Sequence, residues 1–253
     1  MKKTALHIIV FLIPIYIFGQ GGIFNPELLR QRTTKKWTGS VSLNIGLVKN
    51  TNKIFWASNT DYLQYKDSIN YWLVYSNISL QKLEGDPLVN SGIQHLRYNY
   101  TITEKTKLEA FVQAQYDAVS QIDFRGLVGL GPRFKLSKRD SIYRIYLGTL
   151  VMYEHEKSAD IMGKKIHKDF RGSAYLSFSI YPIKTMTIAS TTFYQPNLKA
   201  FGDYRLSNNT TLEFEILEKL SFTTSFNYNF DAYPVEGIPK AQYELTNGLK
   251  YDF

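Results

Sequence analysis

The sequence predicts an all-β fold, a transmembrane up-and-down antiparallel β-barrel of about twelve strands. Near the N-terminus, Lys2 and Lys3 precede an apolar run from Ile8 to Phe18, which is the pattern of a secretory signal peptide. The last residues of the chain alternate apolar and polar side chains and end on Phe253, as in a strand with one face in lipid and the other in water. Between these two ends no stretch of 18 apolar residues occurs, which excludes a helical membrane span.

The chain divides into three predicted parts. Residues 1–20 are predicted to be a signal peptide, because the apolar run ends in the small and polar residues Gly19 to Gly22. Residues 21–35 contain Pro26 and several basic residues but no strand period, which indicates an N-terminal segment in the periplasm. Residues 36–253 are predicted to form the barrel as one domain.

The composition narrows the class of protein. The chain has no cysteine, so it can form neither disulfides nor thiolate metal sites. It has 30 Lys and Arg against 22 Asp and Glu, and the basic residues are spread singly, unlike those of a nucleic-acid-binding patch. Aromatic residues make up 15% of the chain and the mean hydropathy is −0.25. Both values fit a barrel with a polar interior and with aromatic rings at the membrane interfaces.

Twelve segments alternate with period two between turn signals. They are 36–48, 53–66, 68–83, 88–102, 106–118, 122–136, 141–156, 168–181, 185–195, 203–216, 220–232 and 240–253. In the first segment, Val41, Leu43 and Ile45 face outward, whereas Ser42 and Asn44 face inward. An even number of strands returns the chain to the side on which it began, as in bacterial single-chain barrels.

The connections between these segments alternate in length, as periplasmic turns and extracellular loops do. The longer ones are 84–87, 157–167, 196–202 and 233–239, all on the side opposite the N-terminus. Trp37, Trp72, Tyr251 and Phe253 then lie near periplasmic strand ends, where an aromatic girdle is expected. Tyr251 and Phe253 also resemble the membrane-insertion signal that the bacterial barrel-assembly machinery reads.

The second segment has the least regular pattern. Asn59 and Asp61 fall on the same face as Phe55, Leu63 and Tyr65, which should be in lipid. A β-bulge that resets the register is one way to remove this conflict.

The inward faces collect charged residues of both signs, so partners of opposite charge are available. The lumen and selectivity candidates are Arg97, Arg125, Arg133, Arg144, Arg171 and Arg205 with Glu109, Asp123, Glu213 and Glu215; Asp117 and Glu154 share their parity. Two interpretations stay open, a ladder of structural salt bridges that fills the lumen and a polar channel whose charges set its selectivity. Gly126, Gly129, Gly131 and Gly148 indicate strong strand curvature rather than a phosphate-binding loop.

An enzyme is a further hypothesis, because some outer-membrane barrels hydrolyse lipids with Ser-His chemistry. After the signal peptide the chain has only His95, His155 and His167, and none stands in a His-x-Ser pattern. His155 lies between two glutamates, but scattered histidines and acids in flexible loops usually bind no metal. We therefore predict no catalytic residues, no metal site and no cofactor.

Several residues, in their order along the chain, resemble the outer-membrane barrel family called domain of unknown function 481, which includes salt-stress-induced outer-membrane proteins. They are Gly46 before Asn50-Thr51, where Lys49 replaces the glycine usual in the family, Tyr98-Asn99-Tyr100, Ile122 to Arg125, Gly129-Leu130-Gly131, and Gly148 with Tyr153-Glu154. The resemblance implies a barrel fold and an integral outer-membrane location. It implies no reaction and no catalytic residues.

The sequence thus predicts an outer-membrane barrel that acts as a narrow channel for small polar solutes or ions. A structural, envelope-maintenance barrel with a salt-bridged closed lumen is the alternative, and a surface lipid hydrolase is the third hypothesis. The expected partners are outer-membrane lipid, lipopolysaccharide and, during biogenesis, the barrel-assembly machinery. No nucleic-acid partner is expected, and the protein is expected to be a monomer.

Overall fold

The protein is a closed antiparallel β-barrel in a computed structural model that describes residues 35–49, 53–85, 88–139, 142–160 and 163–252. The predicted signal peptide 1–20, nearly all of the predicted segment 21–35, and Phe253 lie outside the described residues. The strands are β1 (Trp37–Lys49), β2 (Lys53–Lys66), β3 (Asn70–Leu83), β4 (Leu88–Thr101), β5 (Thr106–Asp117), β6 (Ile122–Lys135), β7 (Tyr143–Asp160), β8 (Gly163–Ile183), β9 (Met186–Pro196), β10 (Tyr204–Leu217), β11 (Leu220–Asp231) and β12 (Ala241–Asp252).

Each strand pairs with the next one along the chain, and β12 returns to pair with β1. The predicted fold class and strand number are therefore confirmed. Ten of the predicted segments agree with the observed strands to within two residues at either end. Period-two alternation locates these strands well because one face is apolar and the other polar over almost their whole length.

The hairpin of β7 and β8 corrects one prediction. Residues 157–167 were expected to form an extracellular loop, but Lys157 pairs with Ile166 and Asp160 pairs with Gly163. The described part of this region is thus a protruding β-hairpin, and Gly163 has a φ of 124° where β8 begins. The alternation fades here because a hairpin that extends beyond the membrane has water on both faces.

We call the end of the barrel where β1 begins and β12 ends the turn end, and the opposite end the loop end. The ladder between β1 and β12, here called the seam, contains only four residue pairs, from Ser40 with Asp252 to Leu43 with Leu249. On its other edge β1 pairs with β2 along its whole length. The seam is the shortest ladder among the described strands and lies at the turn end.

The outer wall is apolar and exposed. Val112, Val128 and Val151 on neighbouring strands are 55%, 49% and 57% exposed. At the turn end, the rings of Trp37 and Tyr65 lie 4.9 Å apart and form part of an aromatic girdle. Within the described ranges, no helix is long and apolar enough to cross a membrane.

The turn between β2 and β3 depends on Asp67. The backbone N–H groups of Asn70 and Ile69 donate to its Oδ1 at 2.6 and 2.8 Å. These hydrogen bonds lower the pKa of the Asp67 carboxyl to about 2, since they stabilise its charged form. An Asx turn of this kind stabilises the short connection that sets the register of the two strands.

Gly131 is a position where β6 approaches the backbone of β7. A Cβ atom there would overlap the carbonyl oxygen of Thr149 and would lie 2.7 Å from the Cα of Leu150. Backbone atoms cannot move aside as a flexible side chain can. Gly131→Ala should therefore destabilise the folded barrel by about 1–3 kcal/mol, measured by urea unfolding in detergent micelles.

Gly172→Ala is the matched control. In this position the nearest atom to a new Cβ is Leu198 Cδ2 at 3.5 Å, an ordinary contact. We expect its unfolding free energy to stay within about 0.5 kcal/mol of wild type. Equal effects of the two substitutions would contradict a specific role for the approach at Gly131.

Candidate functional site

The interior of the barrel has two different halves. Between β3 and β9 most of the inward side chains are buried. From β10 through β12 to β1 and β2 they are mainly Ser, Thr and Asn, and most remain partly exposed although they point inward. One half of the lumen is filled by side chains, and the other retains space that water can reach.

The filled half contains a charged cluster near the turn end, formed by Arg97, Glu109 and Arg133. Arg97 Nη1 lies 3.2 Å from Glu109 Oε1, and Arg133 Nη1 lies 3.4 Å from Glu109 Oε2. The Tyr175 hydroxyl donates to the same carboxylate at 3.0 Å. All three charged residues are at most 1% exposed. One carboxylate thus neutralises part of the charge of two buried guanidinium groups.

A second charged cluster lies near the loop end and consists of Arg125, Arg171, Arg205, Glu154 and Glu156. Arg125 contacts Glu156 at 2.6 Å, and Arg171 contacts Glu154 at 2.8 Å. Arg205 reaches both glutamates. Bidentate and shared contacts of this kind fix the positions of the strands that carry them.

This loop-end cluster extends towards the loops through two aspartates. Arg171 contacts Asp203 at 3.0 Å, and Arg205 contacts Asp231 at 2.8 Å. Above it lies a cavity of about 510 Å³ that opens at the loop end, here called the vestibule. The vestibule is bordered by the β7–β8 hairpin and by residues 233–238.

An apolar layer separates the two charged clusters. It is formed by inward side chains of β5 to β9, namely Phe111, Leu127, Leu150, Met152, Tyr175 and Phe193. A second apolar group on β2 to β4 comprises Tyr62, Tyr71, Leu73, Tyr75 and Ile93. These apolar side chains, with the buried polar residues His95 and Gln113 between the two groups, fill this half of the interior.

The open half forms what we call the polar passage. From the vestibule down to the charged group at Lys250, its lining residues are small or uncharged apart from Glu244, and comprise Asn209, Thr211, Thr223, Ser225, Asn227, Glu244, Thr246, Ser42, Asn44, Ser58 and Thr60. Cross-strand hydrogen bonds hold several of these side chains against the wall, such as Asn209 to Asn227 at 2.7 Å and Thr211 with Ser225 at 2.9 Å. At the loop end, Asn229 and Gln242 connect the passage to the vestibule.

The polar passage narrows near the turn end at Lys250. Its ammonium group lies 2.7 Å from both carboxylate oxygens of Glu213 and 3.1 Å from Asp252. Lys250 is 6% exposed, and Ser221, its partner on β11, is 2% exposed. Tyr62 closes the other side, since it pairs with Ser40, which pairs with Asp252. This group is the constriction of the passage.

Most of the lumen candidates predicted from the sequence face the interior, but they differ in position and in contacts. The filled half contains Arg97, Arg125, Arg133, Arg171 and Glu109. Arg205, on β10, joins the loop-end cluster, and Glu213 belongs to the constriction. Arg144 lies at the turn end, with its guanidinium 5.6 Å from the Tyr181 ring. Glu215 is exposed at the end of β10, next to a register shift. Tyr251 is exposed near the turn end of β12.

Asp123 does not fit the predicted position in the lumen. The register between β6 and β7 shifts between Ile122 and Phe124, so parity no longer indicates which way the Asp123 side chain points. The side chain is 41% exposed and contacts Lys164 of the protruding hairpin at 3.0 Å.

Lys250 was missed by the sequence reasoning, although its parity on β12 had already placed it inward. A lysine on an inward face can pair with an inward carboxylate as an arginine does, and Lys250 pairs with Glu213. The pattern of a single strand does not indicate that one half of the lumen is filled and the other is open.

His95 and His155 have different surroundings in the described structure. His95 is 2% exposed, its Nδ1 lies 3.0 Å from Gln113 Oε1, and its Nε2 accepts a hydrogen bond from Arg97. Both ring nitrogens are thus engaged by residues other than serine. His155 lies on the outer face near Phe124, away from the inward Glu154 and Glu156. Among the described residues, no group of three or more His, Asp or Glu has the geometry to hold a metal ion.

Comparison with known proteins identifies a family and a fold. The family described as protein of unknown function DUF481 matches residues 29–253. The NanC porin aligns at 8% identity with a TM-score of 0.53, covering 85% of this chain and 98% of that chain. The COG4313 outer membrane channel from Pseudomonas putida F1 aligns at 12% identity with a TM-score of 0.53, covering 91% and 100%.

The translocator domain of autotransporter NalP from Neisseria meningitidis aligns at 10% identity with a TM-score of 0.50, covering 85% of this chain and 87% of that chain. Comparison with curated protein sequences finds no match. At these identities, the structural likeness establishes the outer-membrane barrel fold alone.

Proposed function

The chain belongs to the DUF481 family of proteins of unknown function, and on the basis of its interior we propose that it is an outer-membrane channel for small polar solutes or ions. The observation that carries the proposal is the polar passage. Its inward Ser, Thr and Asn side chains stay partly exposed, whereas those of the opposite half are packed. A water-lined path beside a filled core is what a narrow and selective pore requires.

The constriction sets the expected selectivity. Lys250 is its cation, and Glu213 and Asp252 are the carboxylates in contact with it. Farther up the passage, Glu244 accepts a hydrogen bond from Asn227 at 3.2 Å. Carboxylates thus exceed ammonium groups along the described lining, and we expect cations and neutral solutes to pass more readily than anions.

Lys250→Gln tests this proposal. The substitution removes the ion pairs that cross the constriction. Glu213 and Asp252 then carry uncompensated negative charge, which attracts mobile cations. We expect severalfold higher single-channel conductance in planar bilayers, together with a reversal potential shifted towards cation selectivity. Lys164→Gln on the exposed hairpin is the control and should leave both quantities unchanged.

A structural barrel with a closed lumen is the second candidate. It is favoured by the packed half of the interior and by the ion pairs that bridge the constriction. The two candidates differ in one outcome. A refolded, heat-modifiable barrel that stays silent both as wild type and as Lys250→Gln would overturn the channel and favour the structural role.

The remaining proposals concern the environment of the barrel. The exposed apolar wall and the girdle at Trp37 and Tyr65 support a location in the outer membrane. We infer contact with outer-membrane lipid and lipopolysaccharide, and insertion by the barrel-assembly machinery through the signal at Tyr251 and Phe253. Absence of the protein from isolated outer membranes would contradict this location.

A further inference from the structure

The outer wall differs from one side of the barrel to the other. On β2 to β4 it carries a polar row, in which Asp61 pairs with Ser76 and Ser76 pairs with Gln94. The register of β2 with both neighbours is continuous, so the β-bulge considered from the sequence does not occur. Near the middle of β5, β6 and β7, by contrast, the outward side chains are short and apolar, namely Val112, Val128 and Val151. This second side offers an apolar surface to hydrocarbon.

The short side chains on β5 to β7 line a groove in the outer wall with a volume of about 590 Å³. Aromatic rings lie at its two ends. The rings of Trp72 and Tyr98 are 4.3 Å apart, and those of Tyr153 and Phe170 are 5.3 Å apart. Trp72 lies close to the turn end of β3, whereas Phe170 lies in the loop-end half of β8. The groove therefore rises obliquely from the turn end towards the loop end.

Three lysines on the outward face of the β7–β8 hairpin form what we call the basic patch, Lys157, Lys164 and Lys168. Lys168 is the next outward residue after Phe170, and it pairs with the outward His155. The patch thus begins directly beyond the loop end of the groove. Its position above the apolar wall is that of the lipid head groups.

The basic patch has an excess of positive charge. Among the described residues, Asp123 is the one carboxylate in ion-pair contact with it, 3.0 Å from Lys164. Glu154 and Glu156 of the same hairpin point inward and contact arginines of the loop-end cluster. Lys164 and Lys168 are exposed, and Lys157 is half-exposed. The ammonium groups of Lys157 and Lys168 are therefore accessible to an anion from the surroundings.

We propose that the groove and the basic patch together bind one lipopolysaccharide molecule, with a phosphate group at Lys157 and Lys168 and an acyl chain in the groove. Charge complementarity selects an anionic head group, and the adjoining groove selects an apolar chain. The choice of lipopolysaccharide rests on the outer-membrane location proposed above. In that location the longer connections and the protruding hairpin put the loop end at the cell surface, where lipopolysaccharide forms the outer leaflet.

The dimensions of the groove fit an acyl chain. Its lining residues extend from β3 to β8, which at a strand spacing of about 4.8 Å corresponds to roughly 24 Å. One leaflet of hydrocarbon is about 15 Å thick. A chain that enters the oblique groove below Lys168 can therefore follow it through the whole outer leaflet.

A double variant, Lys157→Gln with Lys168→Gln, tests the head-group contact. We expect it to weaken the binding of purified lipopolysaccharide to the folded barrel in detergent micelles about tenfold, measured by native mass spectrometry. Lys165→Gln with Lys240→Gln is the matched control, because it removes the same charge from the loop end but from side chains that line the vestibule. The affinity of this control should equal that of wild type.

Val128→Trp tests the groove, because an indole ring there occupies the space of the acyl chain. We expect a severalfold loss of affinity for lipopolysaccharide. Leu176→Trp is the control, since Leu176 lies on the outer wall of β8 outside the groove and is 48% exposed, against 49% for Val128. Heat-modifiable mobility on gels verifies that each variant is folded.

The outcomes separate the parts of the proposal. Equal weakening by the two lysine pairs would overturn the basic patch as the head-group site, and an affinity unchanged by Val128→Trp would overturn the groove. Phosphatidylglycerol that binds as tightly as lipopolysaccharide would assign the site to an anionic phospholipid and overturn the choice of lipid. These measurements use purified barrel, so they do not depend on its location in the cell, which the isolated outer membranes test separately.

Discussion

Glu109→Gln is expected to destabilise the folded barrel by about 3–5 kcal/mol, because it removes the carboxylate that two buried guanidinium groups share. Glu109 is 0% exposed and contacts both Arg97 and Arg133, each 1% exposed. Glutamine keeps the size of the side chain and an oxygen that can accept from the Tyr175 hydroxyl. The decrease in the free energy of unfolding therefore measures the contribution of the Glu109 charge, not that of side-chain packing.

The measurement is the free energy of unfolding in urea, with folded and unfolded barrels separated by heat-modifiable mobility on gels. Asp123→Asn is the control, since it also removes a carboxylate from an ion pair, but one that is exposed. An exposed pair of this kind contributes at most about 1 kcal/mol. A loss below that value for Glu109→Gln would show that the interior around Arg97 and Arg133 is hydrated rather than packed.

Thr246→Trp is expected to abolish measurable conductance without unfolding the barrel. Thr246 lies inward on β12 opposite Ser225, in the middle of the polar passage. An indole ring in this position fills the space that the small side chains leave open. The neighbouring Leu245 points to the opposite face of the same strand, so Leu245→Trp is the control at almost the same height.

Single-channel recording in planar bilayers compares the two tryptophan variants. Wild-type conductance from Leu245→Trp together with silence from Thr246→Trp would locate the ion path between β10 and β2. Unchanged conductance in Thr246→Trp would place the path elsewhere in the barrel, and the assignment of the passage would then be wrong.

The strands could be predicted from the sequence because each has one apolar and one polar face. In β1, for example, Val41 and Leu43 alternate with Ser42 and Asn44. Alternation no longer predicts strand ends or side-chain directions where both faces are polar or where the register shifts. The β7–β8 hairpin has water on both faces, and a register shift next to Asp123 breaks the parity.

The interior could be predicted less completely, for a geometric reason. Parity indicates that Arg133 and Thr246 both face inward, but not which side chain lies opposite each of them across the barrel. Whether the lumen is filled or open depends on the summed volume of side chains from non-adjacent strands. The contact between Glu109 and Tyr175, which are 66 residues apart, has no counterpart in any local pattern.

The brevity of the seam has a consequence for the order in which the barrel forms. The ladder between β1 and β12 closes the longest loop of chain in the molecule, so its closure entropy is the least favourable of all the strand pairings. Only the hydrogen bonds of four residue pairs offset this loss of entropy. The packed interior, by contrast, is built from β2 to β9, which are consecutive along the chain and contain neither terminal strand. Low-contact-order hairpins can therefore assemble the core first, and the two ends of the sheet meet last and separate first.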